Sequence, residues 1–375
     1  MATAVTLDRL RELASIRAES GCAISVYLDL DPSSTPTIPA VETKFNAAVA
    51  EVEKVAERAA TDRDCRLGVR ADLERIRRWH RDEFDRDGAW GLAIFASSAD
   101  GLFEVLPLTD SGGDSVHVGP TLHLTPLVGL LGRDGDLVAV VTRERGTIYR
   151  VEAGRLREVA DESEEQPGRH DQGGWSQARY QRHIEHLVQQ HLKTVGEAID
   201  GRVRGRRLHI VVIGPEEMRG EFEGALSTEA RGAIVGWATA ESHAGPTELL
   251  AAARPLLDEA RARAEQDLLA RFEELYGRGE RTAAGWKQVL DAASDARVAV
   301  LFVEEGAHAR AWECPACGRA SADGGSCPLD GTKLEPREDG VDLAVHGALA
   351  GGGSVVRVGP GALPEAKGIA ALLRF

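Results

Sequence analysis

The chain has 375 residues, 43% of them hydrophobic and 28% charged, with a formal net charge of −15. That is enough for two or three domains with packed cores. It holds no apolar run of about 18 residues, which excludes a membrane-spanning helix, and its acidic total excludes indiscriminate binding to nucleic acid, whose phosphates reward a basic surface.

Residues 1–19 are charged and helix-like, with Leu7, Leu10, Leu13 and Ile16 at helical spacing. They lack the basic start, apolar centre and small-residue cleavage site of a signal peptide, so a cytoplasmic protein is expected. Residues 23–30 read as an apolar strand, 33–39 as a loop, and 41–60 and 66–84 as charged helices. Residues 89–96 and 102–108 read as strands about the turn at 98–101. Cys22 and Cys65 stand alone in apolar or helical contexts and read as small core residues, with no disulfide framework. A Gly/Asp/Ser stretch at 110–115 reads as a linker.

Residues 124–131, 137–142, 146–151 and 155–159 are predicted strands, followed by a polar loop at 161–174 and a long helix over 176–199. A buried strand at 208–213, a short helix and a strand at 233–238 complete a mixed sheet flanked by helices. Beyond Gly245-Pro246, the pattern predicts a helix over 247–276, a second over 283–293, and strands at 298–303 and 355–358. The expected fold class is therefore α/β in three domains: an N-terminal α/β domain over 1–110, a central mixed-sheet domain over 116–244, and a C-terminal domain over 245–375.

The segment from Gly168 to Lys193 is the most informative. A polar loop ends in Gly173-Gly174-Trp175, and Ser176 is placed to cap the helix that follows. Ile184, Leu187, Val188, Leu192 and Val195 give that helix a core face. Arg179, Arg182, His186, Gln189 and Lys193 form a second stripe. From Arg169 to Arg207 there are eight Lys or Arg against four Asp or Glu, a net of +4 inside an acidic chain. Glycines at a loop tip allow close backbone approach to a partner, and the donors behind them suit phosphate contacts; the bland alternative is an ordinary loop–helix joint with a solvated face.

A second pattern lies at 313–331, where Cys314, Cys317, Cys327 and Asp330 stand in the spacing C-x2-C-x9-C-x2-D within two Cys-Pro-x-x-Gly knuckles. Three sulfurs and a carboxylate suit a closed, structural tetrahedral zinc site; His308 is an alternative fourth ligand, and a ribbon without metal is the competing reading. No phosphate-binding loop, nucleophile elbow or zinc-protease helix motif is present. Gly351-Gly352-Gly353 reads as a turn between two late strands, and Trp79, Trp90, Trp237 and Trp286 as core or interface aromatics.

The segment QGGWSQARYQRHIEH resembles the glycine-tip loop and following helix of the archaeal–eukaryotic class I peptide-chain release factors. It is most similar to their divergent bacterial relatives, to the tRNA-hydrolase branch of the quality-control factors, and to the Balon-type hibernation factors. The order of segments and the closing residues 368–375 agree with that family. The resemblance implies a central domain presenting the Gly-Gly loop and a C-terminal L7Ae-like domain with a zinc-knuckle insert. It also implies RNA contacts from Gly173, Gly174, Trp175, Ser176, Arg179, Arg182 and His186. Its partners would be the ribosome (rRNA and tRNA) and a translational GTPase, with neither membrane nor DNA. The chain departs from the family at one position. Release factors carry Gly-Gly-Gln, and Trp175, whose indole donates but cannot accept, stands in place of that glutamine. Two functions stay open: a tRNA mimic that occupies the aminoacyl-tRNA site of idle or stalled ribosomes, or a peptidyl-tRNA hydrolase using Gln172 or Gln177. A third, stress-linked role would keep the fold without the ribosome.

Overall fold

The structure, a computed structural model, describes all residues except 1–4, 19–21, 60–62, 87–88, 109–111, 132–134, 153, 164–176, 206–207 and 242. It divides into two compact units, one of Met1–Leu131 with Glu265–Phe375 and one of Gly132–Ala264. No described helix is long and apolar enough to cross a membrane.

The first unit begins with α1 (Leu7–Ala14), whose N-cap Thr6 accepts the Arg9 N–H at 3.2 Å. Then come β1 (Ala23–Asp29), α2 (Ile38–Ala59), α3 (Arg63–Asp82), β2 (Gly91–Ser97), β3 (Leu102–Leu108) and β4 (Ser115–Gly119). They form a sheet in the order β3-β2-β1-β4, with β1 antiparallel to both β2 and β4. β1 is buried almost throughout because both its faces are covered. Ile24, Val26 and Leu28 point towards Val41, Phe45 and Val49 of α2 and Val69, Leu73 and Ile76 of α3. Ala23 and Tyr27 point the other way, as the two-residue period of a strand requires.

Three expectations fail in this stretch. Cys22 and Cys65 are buried, but they are joined in a disulfide, with Cα atoms 5.4 Å apart, that ties the start of β1 to the first turn of α3. Residues 115–119, read partly as linker, form β4. Residues 124–131 are not a strand: α4 (Thr125–Val128) and turns replace it. Pro126 sits in the first helical turn, where its missing N–H is harmless, whereas a central strand would lose a ladder bond there.

The second unit holds β5 (Leu137–Val141), β6 (Gly146–Glu152), β7 (Arg155–Asp161), α5 (Gln177–Val203), β8 (Ile210–Ile213), α6 (Arg219–Ala225), α7 (Thr228–Ala233) and β9 (Ile234–Ala238). α8 (Pro246–Gly277) follows. The sheet order is β7-β6-β5-β8-β9, with β5, β8 and β9 mutually parallel and the β6–β7 hairpin antiparallel on the other side. Alternate residues again serve two cores. Leu137, Ala139, Val141, Ile210 and Val212 face α5, α6 and α7. Val138, Val140, Val211 and Ile213 face Leu249, Leu250, Ala253 and Leu257 of α8.

The remainder belongs to the first unit: β10 (Thr282–Ala284), α9 (Trp286–Ser294), β11 (Val298–Glu304), β12 (Ala311–Glu313), β13 (Ala320–Ser321), β14 (Glu335–Arg337), α10 (Gly340–Ala350), β15 (Ser354–Val358) and β16 (Ile369–Leu373). β10-β16-β11-β15 make one sheet, in which only β11 and β15 run parallel. One face meets Phe272 of α8. The other meets α9 and α10, and there Leu290, Leu301, Val345 and Leu349 share one core with Leu10, Leu13, Tyr27 and Phe95 from the first 131 residues. β13-β12-β14 form the small sheet that carries the cysteines. The reading of 283–293 as one helix is corrected, since Thr282–Ala284 pair with β16 before α9 begins. The glycines at 351–353 join α10 to β15 rather than two strands. Trp79, Trp237 and Trp286 pack against cores, but Trp90 is 49% exposed.

Candidate functional sites

α5 realises the two-faced pattern of the central segment. Val188, Leu192, Val195, Ile199 and Val203 are buried against the sheet, while Arg182, His183, His186, Gln189 and Lys193 are exposed. Gln172, Gly173, Gly174, Trp175 and Ser176 lie outside the described residues, as do His170 and Asp171. Gln177 and Arg179 lie on α5, but their side chains are likewise outside the description. Arg202, counted in the basic patch, is not presented outward. Its Nη1 donates to the Ala198 carbonyl at 2.5 Å and its Nη2 to the Val159 carbonyl at 2.6 Å, tying the last turns of α5 to β7. Arg204 is exposed.

His191, in the same helix, was not singled out in the sequence. It is 0% exposed, and neither ring nitrogen has a hydrogen-bond partner among the described residues. It packs under the backbone of Gly146, where an added Cβ would lie 3.0 Å from its Cε1.

The cysteine cluster closes as its spacing predicts. The Gly318 N–H donates to the Cys314 carbonyl at 2.8 Å and the Gly331 N–H to the Cys327 carbonyl at 2.9 Å. Both glycines adopt the left-handed φ that such knuckles need, +76° and +75°. The two turns bring the donor atoms of Cys314, Cys317, Cys327 and Asp330 within 4.8 Å of one another. Ligands at tetrahedral zinc distances are about 3.6–3.8 Å apart. Here the Cys317 and Cys327 sulfurs are 3.6 Å apart, and the Cys314 sulfur lies 3.5 and 3.8 Å from the Asp330 oxygens. The donor set fits a tetrahedral metal ion. Backbone and side-chain hydrogen bonds from Thr332 hold the Asp330 carboxyl down at about 2, so it stands ready as a carboxylate. His308 is exposed and is not part of the cluster. Beneath the knuckles, buried Glu313 takes Arg17 at 2.6 Å and Arg337 at 2.8 Å.

A further constellation escaped the sequence reading. Asp342 in α10 accepts the Leu124 N–H at 2.9 Å, the Thr125 N–H at 3.1 Å and the Thr125 hydroxyl at 2.9 Å, so it caps α4 from across the core. His123 Nδ1 lies 3.1 Å from Asp342 and 3.6 Å from Asp339, and the His117 ring stacks on His123 at 5.5 Å. Burial works against charge on His123, but contact with Asp342 and the charge of Asp339 outweigh it and raise its pKa. Burial likewise opposes ionisation of Asp342, but His123 and the neighbouring His346 and His117 hold it well below the usual carboxylate range. His117 is pushed down, chiefly by burial. The oxygen facing His123 is already saturated with donors, so this cluster is a clamp rather than a ligand site. No periodicity links residues 123 and 342, and the segment's only sequence signal is its Pro126.

Residues 123–257, which include α5 and most of the second unit, match the family Bacterial archaeo-eukaryotic release factor family 10. The chain is also 30% identical over 207 residues to peptide chain release factor subunit 1 of Methanopyrus kandleri, an alignment covering 52% of this chain. It spans about half the length, 50%, of that curated relative. Among solved structures, the archaeal translation termination factor aRF1 aligns over 99% of each chain at 17% identity and TM-score 0.28. Dom34 of S. cerevisiae, a translation termination-like factor, aligns over 76% of this chain and 79% of its own at 13% identity and TM-score 0.42. Superpositions this loose add nothing to the sequence matches. On those matches, the chain is similar to the bacterial archaeo-eukaryotic release factors over a segment that includes the Gly-Gly motif and α5.

Proposed function

We propose that this protein is a ribosome-binding, tRNA-mimicking translation factor that occupies the aminoacyl-tRNA site of idle or stalled ribosomes. One observation carries the reading: the segment that matches the release-factor family contains both the Gly173-Gly174-Trp175 motif and a helix whose core face is buried while Arg182, His186 and Lys193 face outward. Basic and polar donors on an exposed helix face suit rRNA or tRNA phosphates, and an aromatic side chain at a loop tip suits base stacking. Gln172, Gly173, Gly174, Trp175, Ser176 and Arg179 complete the proposed RNA-contacting set. The C-terminal domain, L7Ae-like in this reading, would meet the ribosome or a translational GTPase. Its Cys314, Cys317, Cys327 and Asp330 would hold structural zinc, making metal binding part of that domain's folding.

Trp175 favours occupancy over chemistry, because the third position of the motif lacks an acceptor to orient water. The test is sedimentation with purified ribosomes over a salt series, with release of labelled peptide from peptidyl-tRNA measured in parallel. Binding that weakens with salt, falls further in Arg182→Glu and Lys193→Glu, and proceeds without peptide release supports occupancy. Release abolished by Gln172→Ala or Gln177→Ala while binding persists would make the protein a peptidyl-tRNA hydrolase. Absence of ribosome binding at any salt would sink both readings and leave a stress-linked role away from the ribosome.

A further inference from the structure

A cavity of about 710 Å³ opens in the second unit at the carboxyl ends of the parallel strands β5 and β8. Open α/β sheets take ligands in that position, where strand direction or order changes, and here β5 is also the strand at which the sheet turns from parallel to antiparallel. The size lies within the range of small-molecule sites.

The cavity has three chemically distinct parts. Its floor is apolar, made by Val140, Ile213 and Leu249, all at most 5% exposed. Gly214, also in the lining, lets the chain leave β8 close against β5, since a Cβ there would lie 2.2 Å from the Val141 carbonyl oxygen. One wall is the inward face of β6, where Thr147 and Tyr149 follow each other at a spacing of two residues and Arg145 continues the row. Arg145 Nε donates to the Thr147 hydroxyl at 3.2 Å and Nη2 to the Tyr149 hydroxyl at 3.1 Å. Both acceptors are neutral and fix the direction of the guanidinium, whose charge helps hold the Asp161 carboxyl below its usual range although no carboxylate lies within ion-pair distance of it among the described residues. The rim is acidic, with Glu144, Glu158, Asp161 and Glu241.

That pattern selects among ligand classes. A phosphate would meet four rim carboxylates. A simple cation would leave the oriented guanidinium unused. A metal ion would need ligating atoms drawn together, and among the described residues these carboxylates form no such group. A molecule with one carboxylate, one ammonium and an apolar body satisfies all three parts. We propose that this cavity binds a small zwitterion of the amino-acid or short-peptide type. Its carboxylate rests on Arg145, its ammonium faces the rim acids, and its side chains cover the Val140, Ile213 and Leu249 floor. This site is independent of the ribosome reading, since it neither uses the exposed face of α5 nor requires RNA.

The experiment is isothermal titration of the full chain with leucyl-leucine, beside its N-acetyl and C-amide derivatives. The unblocked dipeptide is expected to bind saturably, with each blocked form weaker by at least about tenfold. Arg145→Gln should weaken leucyl-leucine by at least about tenfold and abolish its preference over the amide. Because Arg145 also supports Thr147 and Tyr149, Thr239→Trp on the exposed rim serves as a second variant that plugs the mouth and leaves that row intact; it should abolish binding. No saturable heat, blocked forms that bind as well as the free dipeptide, or undiminished binding in Thr239→Trp would each overturn the proposal.

Discussion

His123 Nδ1 lies 3.1 Å from Asp342, a carboxylate whose donors Leu124 and Thr125 stand 218 and 217 residues away, at the edge of the core that residues 1–131 share with residues 265–375. Removing a buried charge leaves the donors that it accepts unpaired, so Asp342→Ala should destabilise the first unit by about 3–5 kcal/mol. Asp342→Asn, which keeps an acceptor for the α4 amides, should cost less. The pH dependence has a definite sign. His123 is raised, so its contribution is fully present below the ordinary histidine value of about 6.5 and is lost as pH rises through its higher folded value. Asp342 is lowered, so its contribution is present above the ordinary carboxylate value of about 3.9 and is lost as pH falls through its lower folded value. The difference in melting temperature between wild type and Asp342→Ala should therefore be widest between about pH 4 and 6.5. A difference flat from pH 4 to 9 would show that the pair contributes no proton-linked stability.

The Cys22–Cys65 disulfide closes a span of 43 residues that includes β1 and α2. A loop of that length gives about 4 kcal/mol in the chain-entropy treatment, and natural bridges commonly deliver 2–4. Cys22→Ser with Cys65→Ser should lower stability by about that amount, and reductant should do the same to wild type but not to the double variant. Denaturant melts with and without reductant, with mass spectrometry of alkylated protein to count free thiols, check this.

Metal loading should be stoichiometric and should involve four residues. Native mass spectrometry of protein prepared with zinc should show one ion per chain, lost in Cys314→Ser. Asp330→Cys should retain it against a chelator longer than wild type, because thiolate is the softer and stronger ligand for zinc. If Asp330→Ala holds the ion as firmly as wild type, the carboxylate is not a ligand.

His191 gives the least expected prediction. A fully buried imidazole with no partner carries a desolvation cost of about 1–3 kcal/mol, and His191 has none among the described residues, so His191→Leu should leave the second unit as stable or more stable. Thermal and urea melts of the two proteins decide it. A loss of more than about 1 kcal/mol would mean that the ring has a bonding role the described contacts do not contain.

The features legible in sequence are those written in local spacing. The core stripe of α5 follows a helical period, β1 and β8 are short apolar runs bounded by turn residues, and the two knuckles repeat one short motif. What escaped depends on distant partners. α10 was missed because most of its circumference is buried, leaving no polar face to set a period. β10, β12, β13 and β14 are two or three residues long and exist only through their pairing. The disulfide joins cysteines whose surroundings look like ordinary core, and Arg202 turns inward because two carbonyls happen to lie within its reach. The motif at 172–176 stood out by its glycines and took its meaning from resemblance, and it lies outside the described residues.

The shared core of the first unit bears on synthesis. Tyr27 and Phe95 leave the ribosomal tunnel early, whereas Leu301, Val345 and Leu349, which cover them, emerge more than 200 residues later. β16, paired on both sides by β10 and β11, comes later still. The interrupting unit, 132–264, has its own cores and can close while the rest waits. Nascent chains should thus carry an exposed apolar sheet face through most of translation, a window in which aggregation competes with folding and a holding chaperone has its clearest target.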